Sequence, residues 1–414
     1  MTGNEKDATS FFQEEGVETE EIHLHAAAVP LGLKGVSNPR VGIGGAYGTW
    51  GESTDNNRLP GLLQRQLGQA LPAAELMELD QLGFKNRHRT PQLSREDDIE
   101  LELEVGARLL RRAAAANGWD INEVDAVLVG VSLPVIPDYI DQVARRAGVR
   151  EDALKVSVHK ACDGSVGSLH LALNPALADA GQLNIAETLL GKKVLLGGIE
   201  GLTRGLRTSR DRYALQLFGN GAGVIGVIPG KTMKFLTGKS YEVFDEEGVL
   251  AVHMLYPHSG RREPGRSLVE VSQDGQSIRI AGLMHEPESG EEIAMAGPMG
   301  MVKLFVRSGV QVVSDVYQAY QGLMQKLGET PRIAVAIVHH ANYKINKLKE
   351  KQLAGLGIKL NMPWLLSEFG NVSAASNMIA FLRELPKLKP GDHVLIDGFG
   401  AGTYYDVLAV EMGA

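Results

Sequence analysis

Cysteine is nearly absent from this sequence of 414 residues, which contains one, at position 162. A single cysteine cannot form a disulfide within the chain, so a disulfide framework is excluded and a reducing compartment is indicated. No stretch approaches 18 uninterrupted apolar residues, so we expect no membrane span. The N-terminus is polar and acidic, without the basic start and apolar run of a secretory signal. Together these absences predict a cytoplasmic protein.

A basic excess is also missing. The net charge is −8 and the sequence pI is about 5.8, which disfavours a nucleic-acid-binding protein. No cluster of His, Cys and carboxylate residues has the spacing of metal ligands, so we expect no metal site. What the chain does have is 44% hydrophobic residues, ample for a buried core. Its length fits two domains or one large unit with two halves.

Apolar patterns divide the chain into three parts. Residues 1–40 are rich in Glu at their start and predict an N-terminal extension, with the folded core beginning near Val41. Strands and helices then alternate through 41–228 and again through 229–414, which predicts α/β layers in two similar halves. Residues 229–300 carry Gly, Pro and charge clusters, typical of strands joined by long polar loops.

Several elements are indicated directly by their residues. The Val-rich run 124–131 predicts a strand buried on both faces, and apolar residues at helical spacing predict a helix over 97–116. Ser94, followed by Asp97, predicts a capping box for that helix. The segment 221–226 reads GAGVIG, a formal dinucleotide-binding match. It continues into a β-branched run instead of a helix, so we interpret it as a strand.

The lone Cys162 follows a predicted strand (154–158) and precedes a predicted helix, in the run SVHKACDGSVGS. Amides and the dipole at a helix N-terminus stabilise a thiolate, and the small residues beside it let a substrate approach. A nucleophile and a buried structural cysteine are equally good interpretations at this point, since free cysteines are commonly buried.

Two further segments carry polar residues after a strand or a turn. In AIVHHAN, His339 follows a strand and precedes a helix, where α/β proteins assemble their sites. The adjacent His340 leaves the choice of histidine open. In EFGNVSAAS, Asn371 follows a Gly turn, where capping of the next helix is the simpler interpretation.

The motifs ACDG, HHAN and GNVSAAS occur in this order, together with LFGNGAG at 217–223 and GFGAG at 398–402. Over about residues 41–414 the chain thereby resembles β-ketoacyl-[acyl carrier protein] synthase III, of the thiolase superfamily, whose motifs include H-Q-A-N and G-N-T-S-A-A-S. The resemblance implies a thiolase-like, five-layered αβαβα fold with two pseudo-duplicated halves, 41–228 carrying the cysteine and 229–414 carrying the histidine and asparagine. It also implies a homodimer.

The resemblance assigns roles to these residues. Cys162 would be the acylated nucleophile and His339, the first residue of the motif, its partner with Asn371; His340 departs from the family's Gln. The implied reaction is a decarboxylative Claisen condensation of an acyl thioester with a malonyl thioester, as in fatty acid biosynthesis, without a further cofactor. The glycine-rich loop would provide oxyanion amides, from Gly398, Phe399, Gly400 and Ala401.

Partners follow from the same resemblance. Lys344, Lys347 and Lys351 share one helix face after HHAN and would dock the acidic acyl carrier protein, although a plain solvated face would show the same spacing. For coenzyme A, the resemblance implies contacts from Arg204 and Asn342. The family's Trp and Arg further upstream fall on Met77 and Gln81 here, so acyl-CoA and acyl-carrier primers both remain open.

The acyl pocket is expected to include Ile136, in the loop SLPVIPDY (132–139), which in the family closes the site of the other subunit. Ile136 stands where the family has a bulkier aromatic residue, which would deepen the pocket. Two other functions remain open. One is acyl transfer or head-to-head acyl condensation in secondary metabolism. The other is a non-catalytic partner subunit of a synthase, which retention of Cys162, His339 and Asn371 disfavours.

Overall fold

The protein's structure is a computed structural model that describes residues 10–70, 72, 78–178, 183–242, 272–274, 277–280, 302–400 and 404–413. Its strands are β1 (Glu18–His23), β2 (Ala28–Asn38), β3 (Ile43–Trp50), β4 (Glu52–Asp55), β5 (Asn86–Arg89), β6 (Ala126–Gly130), β7 (Leu154–Val158), β8 (Val194–Glu200), β9 (Gly221–Val227), β10 (Met233–Glu242), β11 (Ser272–Asp274), β12 (Ser277–Ile280), β13 (Ile333–Val338), β14 (His393–Gly400) and β15 (Tyr404–Met412).

The α-helices are α1 (Leu59–Leu67), α2 (Arg95–Ala116), α3 (Tyr139–Ala147), α4 (Gly164–Leu173), α5 (Ile185–Leu189), α6 (Leu202–Gly205), α7 (Arg212–Leu217), α8 (Gly309–Leu327), α9 (Tyr343–Gly355) and α10 (Ser376–Glu384). A π-helical turn, Val302–Ser308, precedes α8. Of the helices in the described residues, none is long and apolar enough to cross a membrane.

Two sheets form the frame. One has nine strands in the order β1-β2-β3-β9-β8-β6-β7-β12-β11, and the other has four in the order β10-β15-β14-β13; β4 and β5 form a separate hairpin. The buried residues of α4 and α10 pack together with one face of each sheet, whereas α2 and α3 cover the other face of the first sheet. Helices α8 and α9 cover the outer face of the second. The result is five layers, helix–sheet–helix–sheet–helix.

The N-terminal segment differs from its prediction as an extension. Strands β1 and β2 are the outer strands of the nine-stranded sheet, paired from Glu18 opposite Leu33 to His23 opposite Ala28. Phe11 is fully buried, with its ring 4.7 Å from that of Phe369. The folded body therefore begins well before Val41. The sequence pattern was misleading because β1 is an edge strand, where most side chains are exposed and apolar alternation is weak.

The central predictions for the first half are confirmed. The segment GAGVIG lies inside β9, which is buried along its length, so it does not open a helix. Helix α2 begins after Ser94, whose side chain accepts a hydrogen bond from the Asp97 amide at 3.0 Å. The full capping box was wrong, because Asp97 Oδ1 instead accepts from the His25 backbone amide and ties the β1–β2 turn to the helix.

The boundary predicted at residue 229 remains a prediction. Strand β10 opens the second sheet soon after it, as expected. Strand β12, however, lies beyond 229 in the chain and pairs in parallel with β7 of the first sheet, from Ser277 opposite Lys155 to Ile280 opposite Val158. The two sheets therefore do not correspond to two uninterrupted segments of the chain.

Candidate active site

Cys162 lies in a 3₁₀ turn, Ala161–Asp163, that leads from β7 directly into α4, as the sequence predicted. Ala161 has φ of 47°, a left-handed conformation that is uncommon for a residue with a Cβ. The sharp turn places the cysteine at the helix start, where it is 6% exposed.

A second helix start faces the first one. Asn371 precedes a 3₁₀ turn, Ser373–Ala375, that leads into α10, and Ser373 has φ of 45°. Asn371 Oδ1 accepts from the Ser373 amide at 2.9 Å, so the capping interpretation is correct for this oxygen. The amide nitrogen, Nδ2, points the other way and donates to the Ala341 carbonyl at 3.4 Å. That long contact leaves Nδ2 able to donate to a ligand.

Glycines allow both helix starts to approach the first sheet. A Cβ on Gly130, at the end of β6, would lie 2.3 Å from the backbone carbon of Gly164. A Cβ on Gly198, in β8, would lie 2.4 Å from the carbonyl oxygen of Ala374. Any side chain at these positions would push α4 or α10 away from the sheet.

The two histidines have different environments. His340 Nδ1 lies 2.8 Å from the Val338 carbonyl, and its Nε2 accepts from the Leu365 amide at 2.9 Å, so the backbone occupies both ring nitrogens. His339 Nδ1 is buried and has no hydrogen-bond partner among the described residues. Burial, and then the nearby His340 and Lys349, lower the pKa of His339 to about 3. His339 is therefore a neutral ring with hydrogen-bonding capacity to spare.

Hydrogen bonds connect the three predicted residues. Ser373 Oγ donates to Cys162 Sγ at 3.2 Å, and its amide is bonded to Asn371. Asn371 in turn contacts the Ala341 carbonyl, two residues after His339, and the Ala341 amide donates to the His339 carbonyl at 3.0 Å. Residues more than 170 positions apart in the sequence are thus joined in one continuous path.

The glycine-rich segment also reaches the nucleophile's turn. A Cβ on Gly400 would lie 2.3 Å from the Lys160 carbonyl oxygen, and one on Gly398 would lie 1.9 Å from Asp163 Oδ1. Only glycines let the end of β14 pack this closely. Phe399 points to the opposite face of the sheet, and Ala401 lies outside the described residues.

Comparison with known proteins supports the resemblance. The model of the 3-oxoacyl-[acyl-carrier-protein] synthase III C terminal matches residues 325–412, which contain HHAN, GNVSAAS and the glycine-rich segment. A β-ketoacyl-[acyl-carrier-protein] synthase III of Halalkalibacterium halodurans is 26% identical over 338 residues, covering 80% of this chain and 88% of the relative. The chain is therefore similar to synthase III condensing enzymes, over its C-terminal part in the family model and over most of its length in the relative.

Solved structures show the same fold. The synthase III of Pseudomonas aeruginosa matches with a TM-score of 0.59 at 19% identity, covering 94% of this chain and 99% of that one. The type III polyketide synthase domain of Steely1 from Dictyostelium matches with a TM-score of 0.60 at 15% identity, covering 92% and 99%. The predicted thiolase-like fold is confirmed.

The three lysines predicted to dock a carrier protein are all exposed on α9 of this synthase III-like chain. Lys347 pairs with Glu350 at 2.6 Å, and Lys344 lies 3.9 Å from Glu78. Exposed pairs of this kind contribute little to stability. The lysines are therefore accessible, and docking remains a prediction.

Arg204 does not have the environment predicted for a coenzyme A contact. It is 6% exposed, its Nε donates to Glu102 Oε1 at 2.8 Å, and its Nη2 donates to the Leu133 carbonyl at 2.7 Å. A buried guanidinium held by a carboxylate cannot reach a ligand phosphate without leaving that carboxylate unpaired. These contacts argue against Arg204 as a coenzyme A ligand. Arg204 lies in the core beside α2.

The other residues predicted for the acyl pocket and the coenzyme A site lie in different parts of the structure. Asn342 caps α9 through a 2.9 Å hydrogen bond from the Ile345 amide. Ile136 is half-buried and packs against the core around α2 and α3. Gln81 is exposed in a 3₁₀ turn, whereas Met77 lies outside the described residues. The acyl pocket and the coenzyme A site stay predictions.

Sequence reasoning missed several buried charged residues around the site. Glu200 ends β8 and accepts a hydrogen bond from the Ala374 amide at the start of α10. Lys349 and Asp397 form a fully buried pair near His339. Lys160 pairs with Asp406 next to Cys162. A signal was present, since Glu200 ends a buried strand and Asp397 directly follows the apolar run Val394–Ile396 within β14. Charged residues are rare at such positions unless they have a specific role.

Proposed function

We propose that the chain catalyses a decarboxylative Claisen condensation, in which an acyl group on Cys162 is joined to a malonyl unit carried by acyl carrier protein. The observation that carries this proposal is the hydrogen-bonded path that runs from Cys162 Sγ through Ser373 to Asn371. It continues through Ala341 to the backbone of His339, whose ring is neutral. Two neutral donors suit an enolate oxygen, which develops negative charge when the malonyl group loses CO₂.

In the first half-reaction, the Cys162 thiolate attacks the carbonyl carbon of the acyl thioester. A tetrahedral oxyanion forms and collapses, the donor's thiolate leaves, and an acyl-Cys162 thioester remains. Backbone amides of Gly398–Ala401 are proposed as oxyanion donors. This is supported by the close packing of Gly398 and Gly400 on the turn of Cys162.

In the second half-reaction, the malonyl C–C bond breaks, CO₂ leaves, and the electron pair is held as an enolate. His339 and Asn371 donate hydrogen bonds to the enolate oxygen. The enolate carbon then attacks the acyl-Cys162 carbonyl, a new C–C bond forms, and the C–S bond breaks to return the thiolate. The reaction needs thioester substrates and no further cofactor.

The central test is intact mass spectrometry after incubation with acyl-CoAs and acyl carrier protein thioesters of increasing length. We expect an acyl adduct on the wild type and none on Cys162→Ala, and the preferred donor identifies the primer and its carrier. His339→Ala and Asn371→Ala should still form the adduct but lose β-ketoacyl product by about 100-fold or more. Absence of an adduct with every donor would favour the partner-subunit alternative.

Carrier-protein docking is tested separately on α9. We propose that Lys344, Lys347 and Lys351 attract an acidic carrier, because all three are exposed on the helix that begins after His339. Lys351→Glu should raise KM for malonyl carrier protein while leaving KM for malonyl-CoA unchanged. Lys389→Glu, an exposed lysine elsewhere, is the matched control. An equal rise for both substrates would argue against docking.

A further inference from the structure

Glu200 is connected to the sulfur of Cys162 by two hydroxyl groups. Ser373 Oγ lies 3.2 Å from Cys162 Sγ, Ser132 Oγ lies 2.7 Å from Ser373 Oγ, and Glu200 Oε1 lies 2.6 Å from Ser132 Oγ. All four residues are at least 94% buried. Three hydrogen bonds in series therefore run from the proposed nucleophile to a carboxyl group inside the protein.

Three hydrogen bonds in series need three protons, and the two hydroxyls supply two of them. The third must come from one end, either from the thiol of Cys162 or from the carboxyl of Glu200. If Cys162 is a thiol, every bond points toward Glu200, which is then a carboxylate. If Cys162 is a thiolate, every bond points toward the sulfur, and Glu200 holds the proton.

We propose that Cys162 and Glu200 share one proton through Ser373 and Ser132, with Glu200 holding it when Cys162 is the thiolate. In this transfer the S–H bond breaks and its electron pair stays on sulfur. Ser373 takes that proton and passes its own to Ser132, which passes its own to Glu200 Oε1. No net charge is gained or lost. The inference rests on the proposed role of Cys162 as nucleophile.

The surroundings of Glu200 favour its protonated form. Its Oε1 accepts from the amides of Ser132, at 2.9 Å, and Ala374, at 3.2 Å, but its Oε2 is buried without a partner among the described residues. Burial raises the pKa of Glu200 to about 8, although these hydrogen bonds oppose the rise. A carboxyl that readily keeps its proton near neutral pH is well suited to hold the one that Cys162 gives up.

Several other ionisable groups nearby are paired or are kept neutral by burial. On the Glu200 side, Glu102 is paired with Arg204, and burial raises the pKa of Tyr139 well above its usual value. On the sulfur side, Lys160 is paired with Asp406. Further groups facing the path from this side are Asp163, His170 and His339. Asp163, whose pKa is raised well above its usual value by burial and then by Asp406, is the other group beside the sulfur that can change its charge.

Glu200→Gln distinguishes this arrangement from simpler ones by the sign of its effect. The Gln oxygen can replace Oε1 as an acceptor for both amides and for Ser132, but it cannot donate to Ser132. The amides of Ser132 and Ala374 hold the Gln oxygen in this place, because the NH2 group turned toward them would face two donors. In that orientation the series of hydrogen bonds is complete only with Cys162 as a thiol. A Glu200 that acts only as a fixed negative charge would have the opposite effect, since removing that charge favours the thiolate.

The test is alkylation of the full-length protein by iodoacetamide between pH 5.5 and 9.5, followed by intact mass. Cys162 is the sole cysteine, so every adduct reports on it. For Glu200→Gln and Ser132→Ala we expect alkylation at pH 7 to slow by roughly tenfold or more, and the pH profile to move to more alkaline pH. Ser132→Thr, which keeps the hydroxyl, should retain the wild-type profile.

Ser376→Ala removes a buried hydroxyl that has no partner among the described residues, and it is the matched control, expected to alkylate like the wild type. An unchanged or faster Glu200→Gln overturns the proposal. If that variant does not fold, the Ser132→Ala and Ser132→Thr pair decides, and equal rates for the two overturn it. Iodoacetamide needs no acyl donor, so this outcome is independent of whether acyl-Cys162 forms.

Discussion

Two buried lysine–aspartate pairs lie on opposite faces of the second sheet, one beside Cys162 and one below His339. Asp406 is opposite Gly398 in the β14–β15 ladder, so Asp397, the next residue in β14, points to the other face. Asp406 pairs with Lys160 at 2.7 Å, and Asp397 pairs with Lys349. All four side chains are at most 1% exposed.

The two carboxyl groups nevertheless differ in acidity. Burial by itself would raise the pKa of Asp406, yet Lys160 and His170, which bonds Oδ1 at 2.7 Å, hold that pKa well below its usual value. Burial raises the pKa of Asp397, and Lys349 offsets only part of the rise. Asp397 Oδ1 has no hydrogen-bond partner among the described residues. The number of partners on a buried carboxylate, and not merely the presence of a lysine, decides the direction.

The largest expected effect comes from breaking the better-satisfied pair. Asp406→Asn leaves Lys160 without a compensating charge, so we expect the free energy of unfolding at pH 7 to fall by about 3–5 kcal/mol. Asp397→Asn should lower the free energy of unfolding by clearly less, because burial already disfavours the ionised carboxylate that it removes. Urea denaturation measures both, and equal losses would contradict the comparison.

The Lys349 pair is tested by removing one partner and then both. Lys349→Met leaves a buried carboxyl with no cation and should destabilise the protein by about 3 kcal/mol. The double variant Lys349→Met/Asp397→Asn should recover most of that loss, to within about 1 kcal/mol of the wild type. A double variant as unstable as the sum of the single variants would show that the two residues are not coupled.

Asp163 is a buried carboxyl group near Asp406, on the same face of the second sheet, and it should make the stability of the protein depend on pH. Burial, and then the negative charge of Asp406, raise the pKa of Asp163 well above its usual value. Between the pKa of an unfolded Asp, about 3.9, and this raised pKa, the native state keeps a proton that the unfolded state releases. Its contribution to stability therefore falls as pH rises through that window.

Asp163→Asn removes this dependence. We expect its stability relative to the wild type to improve from pH 5 to pH 8, by up to about 1.4 kcal/mol for each pH unit within the window. Urea denaturation at the two pH values measures the change. The same difference between variant and wild type at both pH values would mean that Asp163 ionises normally.

The smallest effect on stability is expected for a substitution at Lys351, two residues after Lys349. Lys351→Met replaces an exposed lysine on the outer face of α9, so the free energy of unfolding should change by less than about 0.5 kcal/mol. Thermal or urea unfolding of Lys351→Met and Lys349→Met, measured in parallel, compares two positions of a single helix. A loss as large as that of Lys349→Met would contradict the orientation of α9.

Much of the fold and of the site followed from local sequence patterns. The strand 333–338 and the strand–turn–helix at Cys162 were predicted because apolar runs and small residues report directly on burial and turns. The edge strand β1 was missed because its exposed side chains leave no such pattern. The pairing of Arg204 with Glu102 was not anticipated, because the two residues are 102 positions apart in the chain.

Local patterns in the sequence predict most of the strands and helices, the resemblance to synthase III, and the candidates Cys162, His339 and Asn371, since each candidate is marked by its own short motif. The three-dimensional arrangement shows that the His340 ring is held by the backbone, whereas the His339 Nδ1 has no partner among the described residues. It also shows that Glu200 is connected to Cys162 through Ser132 and Ser373. Lys349 lies between two exposed lysines in the sequence and is fully buried, because the rotation of α9 against the sheet selects its inner face. Such pairings depend on distances between elements, which no local pattern contains.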